Sequence, residues 1–462
     1  MKMRRDTGGT AEGQARNGRP RRQMRRLAVI AALVLAGCGG SEPDPENVRN
    51  PAGLSGQRAP VGNMLRGVSF AAVAADESRA AEVGRDVLKG GGNATDAAAA
   101  MYFAMAVTLP SAASLGASGV CIVHDSRTRA GEAFVFAPVA APGGVRGTPI
   151  TVPSGVRAIT LMHARHGQVP WQAVVAPGER LARFGLPVSR ALSRDLQAGA
   201  VALGADSEAR RIFGRGSGTA VTEGDNLVQT ELAATLGVIR QRGGAEFFSG
   251  SLARLMSDQI AQIGGSLPLE AMRNTLPQAS PPAGESFGGF RVYVAPPPMA
   301  GAMALAGWNG QPGPAGAVPA DSGGISGFVA VDSKGGAAAC SLSMGQLFGA
   351  RVMVPNTGIL LGTPTADGTA LSPLVIGNPG NGEVLFAGAG GGSPAAAYAT
   401  GVIARGTVDK HQYVAAALKA HGGQGGYVNA IACPDGIRSG GASCNGGADP
   451  AGAGLALNAS PR

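Results

Sequence analysis

The sequence predicts a mixed α/β (α+β) fold in which helices pack against sheets. Residues 68–73 read Val-Ser-Phe-Ala-Ala-Val, an alternation typical of a strand. Residues 97–107 are almost wholly apolar and small, which is expected of a helix buried against a sheet. Asn93 and Asp96 have the spacing of a capping box at the start of that helix. A buried, capped helix that follows a strand is the local evidence for this fold class.

The later elements follow from the same periodicities. Residues 155–275 are mostly helical by period, whereas residues 276–324 are rich in Pro and Gly and show little regular pattern. A last strand is expected at residues 427–432. The other expected elements are strands at 119–123, 132–136, 337–343, 358–361, 384–388 and from Phe328 onward, and helices at 227–242, 247–263, 402–403 and 413–421.

The charge distribution argues against nucleic-acid binding. The chain has 462 residues, enough for two to three domains, and a net charge of +9. The first 26 residues carry nine Lys and Arg against two acids, which leaves only +2 for the other 436 residues. A nearly neutral remainder gives no basic surface for nucleic acid.

The basic N-terminus leads into an export signal. Residues 27–35 are apolar, too few to span a bilayer, and the small residues Ala36 and Gly37 precede Cys38. Residues 35–38, Leu-Ala-Gly-Cys, resemble a bacterial lipobox, in which the cysteine is lipidated and becomes the first mature residue. We therefore expect a signal peptide over 1–37, a flexible tether over 38–64 and a chain anchored to the cell envelope, facing the periplasm. The alternative is a plain signal peptide with an incidental cysteine.

The other four cysteines occur in two kinds of sequence context. Cys121 and Cys340 lie within apolar strands, where they are expected to be small buried side chains. Cys433 and Cys444 flank a turn in a Gly-rich hairpin and are expected to form a disulfide in an oxidising periplasm, although two free thiols remain the alternative. The five histidines lack metal-ligand spacing, and no cofactor is indicated.

Several sequence blocks resemble the gamma-glutamyltransferase family and occur in the family's order. They run from about residue 65 to 440, and the main ones are Gly-Gly-Gly-Asn-Ala-Thr-Asp-Ala-Ala-Ala (90–99), Gly-Asp-Asn-Leu-Val-Gln (224–229), Gly-Gly-Ala-Glu-Phe-Phe-Ser-Gly (243–250) and Val-Tyr-Val-Ala-Pro-Pro-Pro (292–298). The resemblance implies a four-layer αββα sandwich of the N-terminal-nucleophile hydrolase type. It also implies a large-subunit-like region (65–324), a small-subunit-like region (325–462), and gamma-glutamyl transfer or hydrolysis on glutathione-type substrates.

The position of the family's nucleophile is occupied by a residue that cannot act as one. The family has a threonine seven residues before an aspartate at the start of its small subunit, and counting back from Asp332 gives Ile325. Isoleucine has no hydroxyl to attack a carbonyl. Ser326 is one residue out of register, which in a strand turns its side chain to the opposite face. The resemblance further places Ala137 where the family has the arginine that holds the substrate carboxylate.

Other family positions keep their chemistry. By resemblance, Gly391 and Gly392 match the paired glycines that stabilise the oxyanion, and Asp367 matches the aspartate that binds the substrate ammonium. Ser343 stands where a threonine orients the nucleophile, and Thr369 keeps one hydroxyl of a serine pair. The glycine pair is also compatible with a plain tight turn, and the polar residues with ordinary solvation.

Three functional hypotheses follow. The first is a gamma-glutamyltransferase homologue that is unprocessed and catalytically impaired, a pseudoenzyme, and that binds a small gamma-glutamyl or amino-acid-like ligand. The second is an active gamma-glutamyltransferase or hydrolase that uses Ser326 as its nucleophile. The third is a non-enzymatic periplasmic binding or scaffold protein.

Overall fold

The computed structural model describes residues 70–215, 218–313, 323–423, 425–439, 441 and 443–460. All of them fall in the unit Val61–Arg462. The expected signal peptide, tether and Cys38 lie outside the described residues.

The described residues contain strands that form two large sheets and two small two-stranded ones. In chain order the strands are β1 (Ala72–Ala75), β2 (Ser118–Asp125), β3 (Ala130–Phe136), β4 (Leu186–Pro187), β5 (Asn226–Leu227), β6 (Gln278–Ser280), β7 (Ala283–Phe287), β8 (Phe290–Val294), β9 (Ile325–Val331), β10 (Ala337–Ser343), β11 (Met353–Val354), β12 (Ile359–Leu360), β13 (Leu374–Gly377), β14 (Val384–Gly391), β15 (Tyr427–Ala432), β16 (Asn445–Ala448) and β17 (Leu455–Asn458).

Helices account for most of the chain between β3 and β6. In chain order they are α1 (Ser78–Lys89), α2 (Ala94–Thr108), α3 (Pro110–Ala113), α4 (Gly155–His166), α5 (Trp171–Phe184), α6 (Arg190–Leu203), α7 (Ser207–Phe213), α8 (Thr230–Arg242), α9 (Ala245–Phe248), α10 (Ser251–Gln262), α11 (Leu269–Asn274), α12 (Gly301–Trp308), α13 (Ala396–Val408) and α14 (Val414–His421). None of these helices in the described part of the chain is both long and apolar enough to cross a bilayer.

The two large sheets stack face to face between layers of helices. The first sheet has the order β17-β1-β9-β10-β2-β3-β6, and the second has the order β16-β15-β14-β13-β8-β7, with antiparallel neighbours throughout. Helices α1 and α2 pack on the first sheet, and α13 packs on the second. The fold is therefore the four-layer αββα sandwich that the family resemblance implied.

Alternation along strand β9 shows how its side chains divide between two layers. Phe328 and Ala330 belong to the apolar core beneath the helices, whereas Val329 and Val331 belong to the core between the two sheets. Both kinds of position are buried, which explains why this strand is apolar almost throughout. The parity of a residue on β9 therefore decides which layer its side chain enters.

Local signals predicted some elements well. Asn93 caps α2, its side chain accepts from the backbone of Asp96, and the Asp96 carboxylate accepts from the backbone of Asn93, so the expected capping box is present.

Two expectations about the secondary structure were wrong. The stretch 276–324 contains three strands and helix α12, and two more strands follow the supposed last strand β15.

Both pairs of the remaining cysteines form disulfides. The expected bond between Cys433 and Cys444 is present. Cys121 and Cys340 are buried as expected, but they are not merely small apolar side chains, because they are bonded to each other with a Cα–Cα distance of 4.1 Å. They lie directly opposite each other on the antiparallel strands β2 and β10, so the strand register brings the two sulfurs together.

Candidate functional site at the start of strand β9

Ile325 is the first residue of β9 and is buried in an apolar cluster. Its neighbours in that cluster include Val120, Met299 and Leu371. Ala137 is partly buried against the same cluster. The fold thus brings together the two residues that the sequence resemblance assigned to the family's nucleophile and substrate-arginine positions, and both have hydrocarbon side chains.

Ser326 lies beside Ile325 but is directed elsewhere. Strand alternation gives it the parity of Phe328, which faces the helices. Its residue is fully buried, and its hydroxyl has no hydrogen-bond partner among the described residues. A serine nucleophile needs a base within hydrogen-bond reach. In the part of the chain that the structure describes, no such group is hydrogen-bonded to the Ser326 hydroxyl, and the nearby Asp76 carboxylate accepts instead from the backbone N–H of Gly327.

The predicted glycine pair does lie next to the start of β9. Gly391 ends strand β14, and the backbone N–H of Gly392 donates to the carbonyl oxygen of Ile325 at 2.8 Å. Gly392 has φ +81°, and a side chain there would collide with the ring of Tyr427, so both conformation and space favour glycine. An oxyanion hole needs N–H donors that point at the reacting oxygen. Here the Gly392 donor is already used by the main chain.

The three polar positions carried over from the family differ in how far the structure places them. Ser343 on β10 lies opposite Ile325 in the strand pair, and its hydroxyl accepts from the backbone N–H of Gly345 at 2.9 Å. Thr369 lies in the 3₁₀ turn Ala366–Thr369 and donates to Ala366 O at 2.9 Å. Asp367 belongs to the same turn, but its side chain is outside what the structure describes. Of these three residues, Ser343 is the one that the structure places directly opposite Ile325.

A cavity of about 320 Å³ opens beside Ile325 and Gly392. Its charged and aromatic lining is formed by Asp76, Arg194, Asp195 and Tyr427, none of which was among the predicted site residues. These residues come from the end of β1, from α6 and from β15, which are far apart in the chain. Asp76 offered one signal, because it is an acid directly after a buried strand; the other three offered none.

Asp76 is a buried carboxyl group at the junction of the two sheets. Its Oδ2 accepts from the backbone N–H of Gly327 at 2.8 Å, and its Oδ1 accepts from the side-chain amide of Asn429 at 2.8 Å. Burial raises the pKa of Asp76 to about 6, although these two hydrogen bonds oppose the effect. The cavity therefore contains an acid that changes its charge near neutral pH.

Arg194 supplies a cation to the same cavity. Its Nε donates to Asp195 Oδ1 at 3.2 Å, and its guanidinium carbon lies 5.3 Å from the centre of the Tyr427 ring. Asp195 is itself held by the hydroxyl of Ser111, which donates to Oδ2 at 2.6 Å, and burial raises the pKa of this carboxyl. The lining is thus of mixed charge, with acids and a guanidinium in one space.

The described lining of this cavity contains neither a metal site nor a hydrolytic triad. No group of three His, Cys, Asp or Glu side chains in the described residues could hold a metal ion. The cavity offers charged groups for recognising a ligand, but its edge at position 325 offers no attacking atom.

Comparison with known sequences agrees with this architecture. The sequence profile of the gamma-glutamyltranspeptidase family matches residues 80–310, half of the chain. The chain belongs to the gamma-glutamyltranspeptidase family. The match includes α6 with Arg194 and the position of Ala137, and it ends before β9 begins.

Individual gamma-glutamyltranspeptidase relatives match only in part. The glutathione hydrolase proenzyme of Escherichia coli is 31% identical over 61% of this chain and 50% of its own length. The glutathione hydrolase proenzyme of Bacillus subtilis is 28% identical over 50% of this chain and 43% of its own length. The chain therefore spans about half the length of these curated relatives.

A solved structure extends the likeness over nearly the whole chain. The cephalosporin acylase of Bacillus halodurans superposes with a TM-score of 0.69 at 18% identity, covering 90% of this chain and 98% of that one. At this identity the likeness establishes the fold. Its coverage of 90% of this chain exceeds that of the family profile, which ends at residue 310.

Proposed function

We propose that this gamma-glutamyltranspeptidase homologue stays a single chain, has lost most catalytic power, and keeps a pocket for a small amino-acid-like ligand. The observation that carries the proposal is Ile325, which is buried in an apolar cluster at the family's nucleophile position. Self-cleavage and acyl transfer both need a hydroxyl there. Ala137 in the same cluster supports the proposal, since no guanidinium is available at that position to hold a substrate carboxylate.

The alternative of an active enzyme that uses Ser326 has less support. Its hydroxyl is buried on the helix-facing side of β9 and is without a described partner that could accept its proton. A buried hydroxyl of this kind is more consistent with a structural residue than with a nucleophile.

An activity measurement tests the catalytic part of the proposal. The wild-type protein and its Asp367→Ala variant should hydrolyse a chromogenic gamma-glutamyl anilide equally slowly, near the buffer rate. Asp367 is the matched choice because the family resemblance makes it the ammonium-binding residue. A wild-type protein that is clearly faster than Asp367→Ala would contradict the proposed loss of catalysis.

We also propose that the protein is exported and anchored to the envelope through Cys38. The two disulfides support an oxidising compartment, since such bonds are rare in a reducing cytosol. A Cys38→Ala variant should lose membrane association, or should stall before maturation, when membrane and soluble fractions are compared by immunoblot. Cys38→Ala that stays with the membranes like the wild type would count against the lipid anchor.

A further inference from the structure

We propose that Arg194 is the residue that binds the carboxylate of the small amino-acid-like ligand, in place of the cation missing at Ala137. This inference rests on the proposed ligand-binding function. No sequence pattern had indicated Arg194. It lies on helix α6, outside the sequence block in which the family has its substrate-binding arginine. Three features of the cavity support it: the free edge of the guanidinium, the contacts that hold the guanidinium in place, and the acid that lines the same space.

The free edge of the Arg194 guanidinium is the edge that carboxylates bind. Its Nε is hydrogen-bonded to Asp195. Within the described residues, neither terminal nitrogen of Arg194 donates a hydrogen bond. Two parallel N–H groups on a planar guanidinium match the two oxygens of a carboxylate. The side chain is 44% exposed, so a ligand can reach this edge from the cavity.

The guanidinium is held in position before any ligand arrives. Asp195 fixes it through Nε, and Ser111 in turn fixes Asp195. The ring of Tyr427 lies alongside as a second, nonionic contact. A long arginine side chain that is already ordered loses less conformational entropy on binding than a free one. The arrangement is therefore pre-organised for an anion.

The rest of the lining favours a ligand that also carries an ammonium group. Asp76 lines the same cavity and is close enough to Arg194 and Asp195 to feel both charges. Each of its oxygens accepts one protein hydrogen bond, which leaves acceptor capacity on both. A cation at one part of the cavity and an acid at another are complementary to the zwitterion of an α-amino acid. A volume of about 320 Å³ is at the small end of ligand sites, which suits such a molecule.

Titration calorimetry with L-glutamine tests the inference. Wild type should bind, Arg194→Gln should bind about 10- to 100-fold more weakly, as is typical when a charged pair is lost, and Arg194→Lys should fall between them because it keeps only a point charge. Arg190→Gln is the matched control: Arg190 is on the same helix, is 79% exposed, and pairs with Glu223 instead of lining the cavity. It should bind like the wild type.

A second ligand separates carboxylate binding from a structural effect. L-glutamine α-amide lacks the carboxylate, so it should bind wild type weakly and should lose little more on Arg194→Gln. Equal losses for both ligands would mean that Arg194 only supports the cavity, and would overturn the inference. Thermal melts check folding; if Arg194→Gln does not fold, the two ligands are compared on Arg194→Lys in the same way.

The outcomes also distinguish this inference from the proposed function. L-glutamine binding that is unchanged in Arg194→Gln would overturn the role of Arg194 and leave the ligand class standing. No binding of L-glutamine to the wild type would overturn the ligand class and this inference with it.

Discussion

The profile-matched region (residues 80–310) and the C-terminal region (residues 323–460) belong to one sandwich but differ in what they have kept. The profile-matched region supplies β2, β3 and most helices, and the family profile still matches it. The C-terminal region supplies β9 and β10, which are inserted between β1 and β2 in the first sheet. This central strand β9 starts with Ile325, which the sequence resemblance places at the family's nucleophile position.

Packing and catalysis therefore place separate demands on the same strand. The sheet needs β9 to be apolar, extended and in register, and isoleucine meets those demands well. Its side chain fills the cluster that also includes Val120 of the profile-matched region. The fold is thus compatible with an isoleucine at this position, and fold alone does not establish activity.

The largest expected effect concerns chain integrity between the two regions. Because position 325 offers no hydroxyl for self-cleavage, the protein should run as one unprocessed chain on a denaturing gel. Reductant is required, since the disulfide between Cys121 and Cys340 would hold the two regions together even after cleavage. Two reduced fragments that separate near residues 322–326, with an N-terminal serine on the smaller, would contradict this prediction.

A rescue experiment tests whether the proposed loss of the nucleophile is the only catalytic defect of the C-terminal region. Ile325→Thr with Ala137→Arg should hydrolyse a gamma-glutamyl anilide at least about tenfold faster than either single variant, because nucleophile and substrate clamp act as a unit. Ile325→Val with Ala137→Arg is the matched control, since valine has the shape of threonine without its hydroxyl. Equal rates for the two double variants would indicate that the region has lost further catalytic parts.

Local patterns in the sequence predicted what depends on a few adjacent residues. Asn93 and Asp96 cap α2 as expected, because a capping box is complete within four residues. The bond between Cys433 and Cys444 was also predictable, because a short hairpin holds its ends together. Helix α12 was missed, because its Gly- and Ala-rich sequence has weak periodicity and its packing on α13 stabilises it.

What the sequence did not predict depends on strand register and on distant elements. The bond between Cys121 and Cys340 requires knowing that β2 pairs with β10, across 219 residues of chain. The cavity could not be predicted from the sequence either, because Asp76, Arg194 and Tyr427 come from three separate parts of the fold. The family resemblance assigned Ile325 and Ala137 to two functional positions, but it could not reveal cavity residues outside its known motifs.

The two disulfides should differ in their contribution to stability, because one joins the two regions and the other does not. Cys121–Cys340 joins the regions and closes 219 residues, whereas Cys433–Cys444 lies within the C-terminal region and closes 11. In the chain-entropy model these loops correspond to about 5 and about 3 kcal/mol. Urea unfolding should therefore show a larger loss for the Cys121→Ala, Cys340→Ala pair than for the Cys433→Ala, Cys444→Ala pair. The reverse order would mean that the bond between the regions adds little to an interface that packing already stabilises.

The smallest expected effect is a pH dependence at Asp76, which joins the end of β1 to Gly327 and Asn429 of the C-terminal region. The ordinary pKa of an aspartate is 3.8, and burial raises that of Asp76 to about 6 in the folded chain. Between those values the native state holds a proton that the unfolded chain has released, so the free energy of unfolding decreases as pH rises through this window. The resulting decrease is at most about 3 kcal/mol at pH 7.

Asp76→Asn removes this titration, because an amide stays neutral while its oxygen can still accept from Gly327. Urea unfolding between pH 4 and 7 should therefore give a smaller decrease for Asp76→Asn than for the wild type. The quantity to compare is the change in the free energy of unfolding with pH, taken as a difference between the variant and the wild type. Burial also raises the pKa of Glu77 and Asp195, so these groups contribute to the pH dependence of both proteins. Asp258→Asn, at an exposed position on α10, is the control and should keep the wild-type pH dependence. If Asp76→Asn shows the same pH dependence as the wild type, the ionised Asp76 carboxylate is stabilised by a neighbouring charge. Arg194 is the cation that lies in a position to stabilise it.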